Sequence, residues 1–229
     1  MANKDIVSQP KKTISTKSVN PSAIPRKNFF LRHSILLLTL AVIIVYFPSL
    51  RLGYTELDDS IFIKEQKAYN EDLSNLITSF KRGVFNPTKD VYYRPLLLDS
   101  FILNYHLSHE NILGWHVVNV LLHLFSVILL LLLLKKIGIN ELSSFLLSLL
   151  FAVHPVLSQA VAWIPGRNDT MLAIFVFSYL LTALKYSETK KFSLLSLQCL
   201  LLLASLFTKE TAVFAAPAAW MMQSIGVED

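Results

Sequence analysis

The run from Val117 to Leu134 decides what this chain can fold into. Its 18 residues are apolar except for Asn119, His123 and Ser126, about the length needed to cross the hydrocarbon core of a bilayer. Composition agrees. Charged residues make up 16% of the chain and hydrophobic ones 53%, against roughly 25% charged in a soluble domain. The expected fold is an all-α, polytopic bundle of about five to six spans. The net charge of +5 does not form one basic patch interleaved with aromatics, which argues against nucleic acid. The basic residues gather beside the apolar segments, where they set topology. The single cysteine, Cys199, lies inside an apolar run, so the chain has neither a disulfide pair nor a zinc framework.

Residues 1–28 are rich in Lys, Ser, Thr and Pro without apolar periodicity, and read as a disordered cytoplasmic tail. Residues 29–224 form the membrane domain, and 225–229 a short tail. The first span is expected from Ser34 to Leu50, followed by an acidic first outer loop over 51–93. Within that loop Asn70 to Lys81 has the pattern of a short amphipathic helix. Arg94 to Leu107 carries Asp99 and Asn104 and suits a helix lying in the interface. Further spans are expected at Trp115–Leu134, at Glu141–Val153 with the broken His154-Pro155 segment, at Met171–Lys185 and at Phe192–Phe207. Thr211 to Gln223 holds Pro217 and reads as a sixth span or a re-entrant piece.

Lys135, Lys136, Lys185, Lys190 and Lys191 fall in connections on the same side as the basic amino-terminal tail. Positive charge placed inside puts that side, and the N-terminus, in the cytoplasm. The 51–93 loop, the 154–169 segment and Lys209-Glu210 then meet on the opposite face.

Four groups of residues on or near that face could carry chemistry. Asp58-Asp59 lies about eight residues past the first span. A carboxylate there can act as a general base, its neighbour raising its pKa by like-charge repulsion; an isolated acidic pair is far more often a solvated loop or helix cap. Arg94 follows two tyrosines. It is either an interfacial anchor or a bidentate phosphate ligand. His116, Asn119, His123 and Ser126 lie within about 80° on one face of a helix. They either line a headgroup or substrate cavity or make interhelical hydrogen bonds. The stretch FAVHPVLSQAVAWIPGRND holds a histidine, a helix breaker and Arg167, and SLFTKETAVFAAP holds Lys209. Arg167 beside Asp169, and Lys209 beside Glu210, form either plain interfacial salt bridges or cationic clamps for a phosphate. Proline at 155 cannot continue the helical ladder, so the backbone there needs a polar or wet environment.

Taken in order, the acidic pair, YYRPLLLDSFILNYHL, GWHVVNVLLHLF, LFAVHPVLSQAVAWIPGRND and TKETAVFAAP resemble the amino-terminal half of a GT-C superfamily membrane glycosyltransferase. The resemblance is to the protein O-mannosyltransferase-like enzymes with transmembrane and tetratricopeptide-repeat regions, over roughly residues 45–220. It implies transfer of a sugar, a hexose such as mannose, from a polyprenyl-phosphate carrier to a hydroxyl of a protein or glycan on the non-cytoplasmic face. It further implies Asp58 as the base with Asp59 as its helper, and Arg94, Arg167 and Lys209 against the carrier phosphate. His116, Asn119, His123, His154, Asp169 and Glu210 would line the cavity. No metal or cofactor is implied, since phosphate is itself a good leaving group. Gln159 stands where many relatives carry glutamate and cannot titrate. No 34-residue repeat is visible. The implied location is the cytoplasmic membrane of a prokaryote or the endoplasmic reticulum of a eukaryote. Partners would be the lipid-linked donor, the acceptor, the bilayer, and a separate chain if one supplies further spans. The alternative function is a non-catalytic protein that binds a lipid carrier or assembles with a partner chain. A transporter is disfavoured, because no span carries a charge near its centre and no inverted repeat is evident.

Overall fold

The computed structural model describes residues 26–55, 58–85 and 92–225, with the side chains of 26–30 and of 225 left aside. Most of the expected tail and the final four residues lie outside these. Every regular element among the described residues is helical, as the apolar runs require.

Helix α1 (Arg26–Tyr46) continues into a 3-10 turn at Phe47–Arg51. The first outer loop is built from short pieces. A π-helical turn at Ile61–Glu65 leads to α2 (Lys67–Glu71), then α3 (Asn75–Thr78) and a 3-10 turn at Ser79–Lys81. The continuous helix expected over 70–81 is thus interrupted. Asp72 adopts an extended conformation (φ −100°, ψ 108°) and its Oδ1 accepts the Ser74 N–H at 2.8 Å. This local side-chain bond competes with the helical ladder. Helix α4 (Pro95–Ser108) has proline in its first turn and is too short to cross a bilayer, as expected.

Helix α5 (Ile112–Lys136) is the longest element, capped by Asn111, whose side chain accepts the Leu113 N–H at 3.2 Å. Helix α6 (Glu141–Val153) is capped by Asn140 and ends at His154. After a 3-10 turn at Pro155–Leu157 comes the short α7 (Ser158–Ala162), bent by 48° from α6. A second 3-10 turn, Ile164–Gly166, opens α8 (Arg167–Thr189), so the fourth apolar segment starts well before Met171. Lys190 turns the chain in the left-handed region (φ 52°) into α9 (Phe192–Thr208). A 3-10 turn at Glu210–Phe214 precedes α10 (Ala215–Ile225).

Three helices are long and apolar enough to cross a membrane, Leu31–Arg51, Ile112–Lys136 and Ile164–Thr189, and a fourth is added if the bent α6–α7 pair is one span. This makes the chain a multi-pass membrane protein. The expected count of five to six is not reached by this measure. With 17 residues α9 extends only about 25 Å against a core of about 30 Å, and the 11 residues of α10 are shorter still.

Ion pairs fix how the helices run. Lys135 meets Glu141 at 3.1 Å and Lys136 meets Glu188, which brings the end of α5, the start of α6 and the end of α8 together. At the opposite end Lys209, after α9, pairs with Asp169 at the start of α8. The two ends predicted from the charge pattern are therefore physically distinct. Helix α8 packs along α9 and α5, and α1, α5 and α6 pack against one another. Ser144, Ser148 and Ala152 form a small, fully buried stripe on α6, which lets helix backbones approach closely. An apolar core beneath the first outer loop joins Phe62, Leu97, Leu98, Phe101, Trp115 and Ile164. It seats the loop on the ends of α5 and α8.

Candidate functional site

Asp58 and Asp59 stand where the first outer loop turns helical. The Asp58 carbonyl accepts the Phe62 N–H at 3.0 Å, and the π-helical turn follows directly. Adjacent residues at a helix start point about 100° apart, and the two carboxylates part accordingly. Asp59 is fully buried. Its Oδ2 accepts both the Thr55 N–H (2.9 Å) and the Thr55 hydroxyl (2.8 Å). Asp58 stays partly exposed, and burial together with the Asp59 charge lifts its carboxyl above the ordinary aspartate range. The pair thus consists of one anchored carboxylate and one available to solvent.

Arg94, the N-cap of α4, reaches the same end. Its Nη2 and Nε donate to the Glu210 carboxylate at 2.7 and 3.1 Å, and the guanidinium lies 4.8 Å from the centre of the Tyr92 ring. These two hydrogen bonds hold the Glu210 carboxyl below its usual range. Lys209, the next residue back, pairs with Asp169. Arg94, Lys209, Asp169 and Glu210, 116 residues apart at the extremes, therefore form two crossed ion pairs that join α4, α8 and α9.

Arg167 does not join them. It is fully buried, and its Nη2 donates to Asn104 Oδ1 (2.8 Å) and the Trp115 carbonyl (3.3 Å). The guanidinium carbon lies 5.1 Å from the Phe101 ring centre and 5.4 Å from that of Trp115. The side chain is therefore packed inside the bundle rather than at an exposed rim, because the first turn of α8 faces α4 and α5.

The polar stripe of α5 faces the broken segment. Pro165 has no N–H for the Val161 carbonyl four residues back. Asn119 Nδ2 takes that place, donating to Val161 O at 3.1 Å, with Trp163 O and Ile164 O at 3.1 and 3.3 Å. At the first break the Val156 N–H turns to His154 Nδ1 (3.2 Å), and the Ala152 carbonyl, which it would have served, lies 3.0 Å from His123 Nε2. Asn119 and His123 thus serve as interhelical hydrogen bonders at the two proline breaks. Ser126 bonds its own helix, donating to the His123 carbonyl at 2.7 Å. His116 is buried beside the backbone of Leu52 and Gly53, and His154 is exposed. Two shallow grooves of about 330 and 260 Å³ share His154 in their linings, and neither is lined by Asp58, Arg94 or Lys209.

Three participants were not legible in the sequence: Thr55, which anchors Asp59, and Asn104 and Trp115, which hold Arg167. Asn104 did carry a signal, as a polar break in an apolar helix. Thr55 and Trp115 carried none.

The geometry can be set beside known proteins. Protein O-mannosyl-transferase TMTC1 of Mus musculus is 34% identical over 147 residues, covering 64% of this chain and 15% of its own length. Protein O-mannosyl-transferase Tmtc1 of Drosophila melanogaster is 36% identical over 126 residues, 54% of this chain and 14% of its own. Protein O-mannosyl-transferase TMTC3 of Homo sapiens is 38% identical over 99 residues, 43% and 10%. The chain is homologous to these transferases over that stretch. It spans between 10% and 15% of the length of these three relatives. No family model matches the chain, and no solved structure does.

Proposed function

We propose that the chain takes part in transfer of a hexose such as mannose from a polyprenyl-phosphate carrier to a hydroxyl of a protein acceptor. The observation that carries this reading is that the Arg94–Glu210 and Lys209–Asp169 pairs lie at the end of the bundle on which the Asp58-Asp59 loop is seated, in a chain homologous to protein O-mannosyl-transferases. Asp58 accepts the proton of the acceptor hydroxyl as that oxygen bonds to the sugar carbon. The bond from that carbon to the carrier phosphate oxygen breaks, and the phosphate leaves as an anion. Arg94 and Lys209 receive it, exchanging their carboxylate partners for phosphate oxygens. Asp59 anchors the loop. The acidic end faces away from the cytoplasm, and α9 and α10 complete five to six membrane segments as shortened spans. The membrane is the endoplasmic reticulum in a eukaryote or the cytoplasmic membrane in a prokaryote.

A second reading is a non-catalytic protein that binds the lipid carrier or assembles with a partner chain. It is favoured by one observation: both candidate phosphate cations are already paired with carboxylates. Sugar release from a labelled polyprenyl-phosphate donor, in membranes containing this chain, separates the two. Turnover that is lost in Asp58→Ala supports the transferase. Absence of turnover in folded, expressed wild type supports the binder.

A further inference from the structure

Three buried polar atoms near the loop end have no hydrogen-bond partner among the described residues: Asp59 Oδ1, Asn119 Oδ1 and Arg167 Nε. The His116 ring beside them faces only the backbone of Leu52 and Gly53, too poorly aligned for full hydrogen bonds. The four side chains are each at most 1% exposed. Buried polar groups are rarely left unpaired, and these four are neighbours. His116 and Asn119 follow one another on the same face of α5, and Arg167 Nη2 bonds the carbonyl of Trp115, one residue before His116. The Asp59 carboxylate lies within Coulombic reach of both His116 and Arg167. The free atoms are also complementary. Arg167 Nε donates, Asp59 Oδ1 and Asn119 Oδ1 accept, and a neutral imidazole offers one of each. Water, with two donors and two acceptors, matches that set.

Charge points the same way. Arg167 makes no direct ion pair among the described residues, and its bonds go to Asn104 Oδ1, the Ser100 carbonyl and the Trp115 carbonyl. A buried charge without a counter-charge is strongly unfavourable, and Asp59 is the carboxylate that interacts with it. Asp59 in turn meets Tyr54 and Asp58 from its own loop, His116 from α5 and Arg167 from α8. Arg167 is the one permanent cation in that set.

Resting on the reading of Asp58 as the base, we propose that Arg167 is a positioning residue for the acidic pair. With His116 and bridging water it supplies the counter-charge that holds the Asp59 carboxylate inside the bundle, and this turns Asp58 outward toward the acceptor. The arginine therefore acts on the carboxylates from beneath rather than on the donor from above.

Infrared titration of the purified chain in lipid nanodiscs tests this without using turnover. At neutral pH, Arg167→Gln is expected to show one more protonated carboxyl than wild type or Arg167→Lys. That band disappears when Asp59→Asn is added and persists when Asp58→Asn is added. A folded Arg167→Gln without the extra band, or a band that follows Asp58, overturns the proposal. Thermal melting covers a poorly folded single variant. The double variant Arg167→Gln with Asp59→Asn removes both charges and is expected to melt above either single change, whereas additive losses overturn the pairing. If these results hold while wild type releases no sugar, the transferase reading falls and the charge pairing stands. If sugar release depends on Asp58 but the band is missing, the reverse is true.

Discussion

Replacing Asn119 with leucine, which keeps the branched side-chain skeleton but has no donor, isolates the function of the α5 stripe. A primary amide has two N–H groups, so the three carbonyl contacts of Asn119 cannot all be full hydrogen bonds at once. Trp163 O also receives the Gly166 N–H at 3.0 Å, and Ile164 O receives the Arg167 N–H. Val161 O has Asn119 as its donor, because the chain turns extended at Trp163 (ψ 126°) and position 165 is proline. An orphaned buried acceptor costs about 1–3 kcal/mol. Interhelical side-chain bonds in membranes average about 0.6 kcal/mol and reach about 1.7, since the unfolded chain in lipid finds other partners. The second effect trims the first, and the expected loss is about 1–2 kcal/mol. Unfolding in mixed micelles with rising SDS, followed by circular dichroism, measures it. The decisive comparison is a double-mutant cycle with Pro165→Ala, which returns an N–H to the ladder. Asn119→Leu is expected to cost less in that background, because Val161 O then has a backbone donor. An equal loss in both backgrounds would refute the account of Asn119 as a substitute for the missing proline donor.

Turnover is expected to fall as pH drops through a value above the ordinary aspartate range, since burial and Asp59 keep Asp58 protonated to a higher pH; Asp59→Asn should move that limb to lower pH in a pH–rate profile. Arg94→Ala should raise the KM for the lipid-linked donor by about tenfold, the equivalent of about 1.4 kcal/mol. Glu210→Gln should lower the KM by releasing Arg94, with initial rates at varied donor as the measurement for both. Gly166→Ala places a Cβ 2.3 Å from the Gln159 carbonyl oxygen and 3.1 Å from Ala160 Cα, both backbone atoms. It should cost about 1–3 kcal/mol in the same unfolding assay, and a neutral result would mean that α7 does not press against the start of α8.

Features that depend on local chemistry were legible in the sequence. The α5 span followed from one apolar run, the break after α6 from His154-Pro155, and the two-ended charge pattern from lysines in the connections. Features that depend on which way a side chain faces were not. Arg167 lies one residue past a turn, and nothing local says whether that turn presents it to water or to Phe101 and Trp115, 66 and 52 residues away. The stripe on α5 was visible as a stripe, but both its readings required a partner that only the packing identifies. The helix expected over 70–81 failed at Asp72, where a single side-chain bond outweighed an amphipathic pattern. Counting spans also failed at α9, whose apolar composition is right and whose length falls short.

At the breaks around Pro155 and Pro165, the open carbonyls of Ala152 and Val161 receive their hydrogen bonds from His123 and Asn119 of another helix. During synthesis α5 leaves the ribosome first, and the broken segment has no complete set of backbone bonds until α5 lies alongside it. Lipid cannot supply the missing donors. The α6–α7 segment is therefore a dependent insert, and the chain has a built-in order of membrane entry with α5 as the template. Deleting α5 should leave α6–α7 outside the hydrocarbon core in a glycosylation-mapping insertion assay, although its residues are as apolar as before.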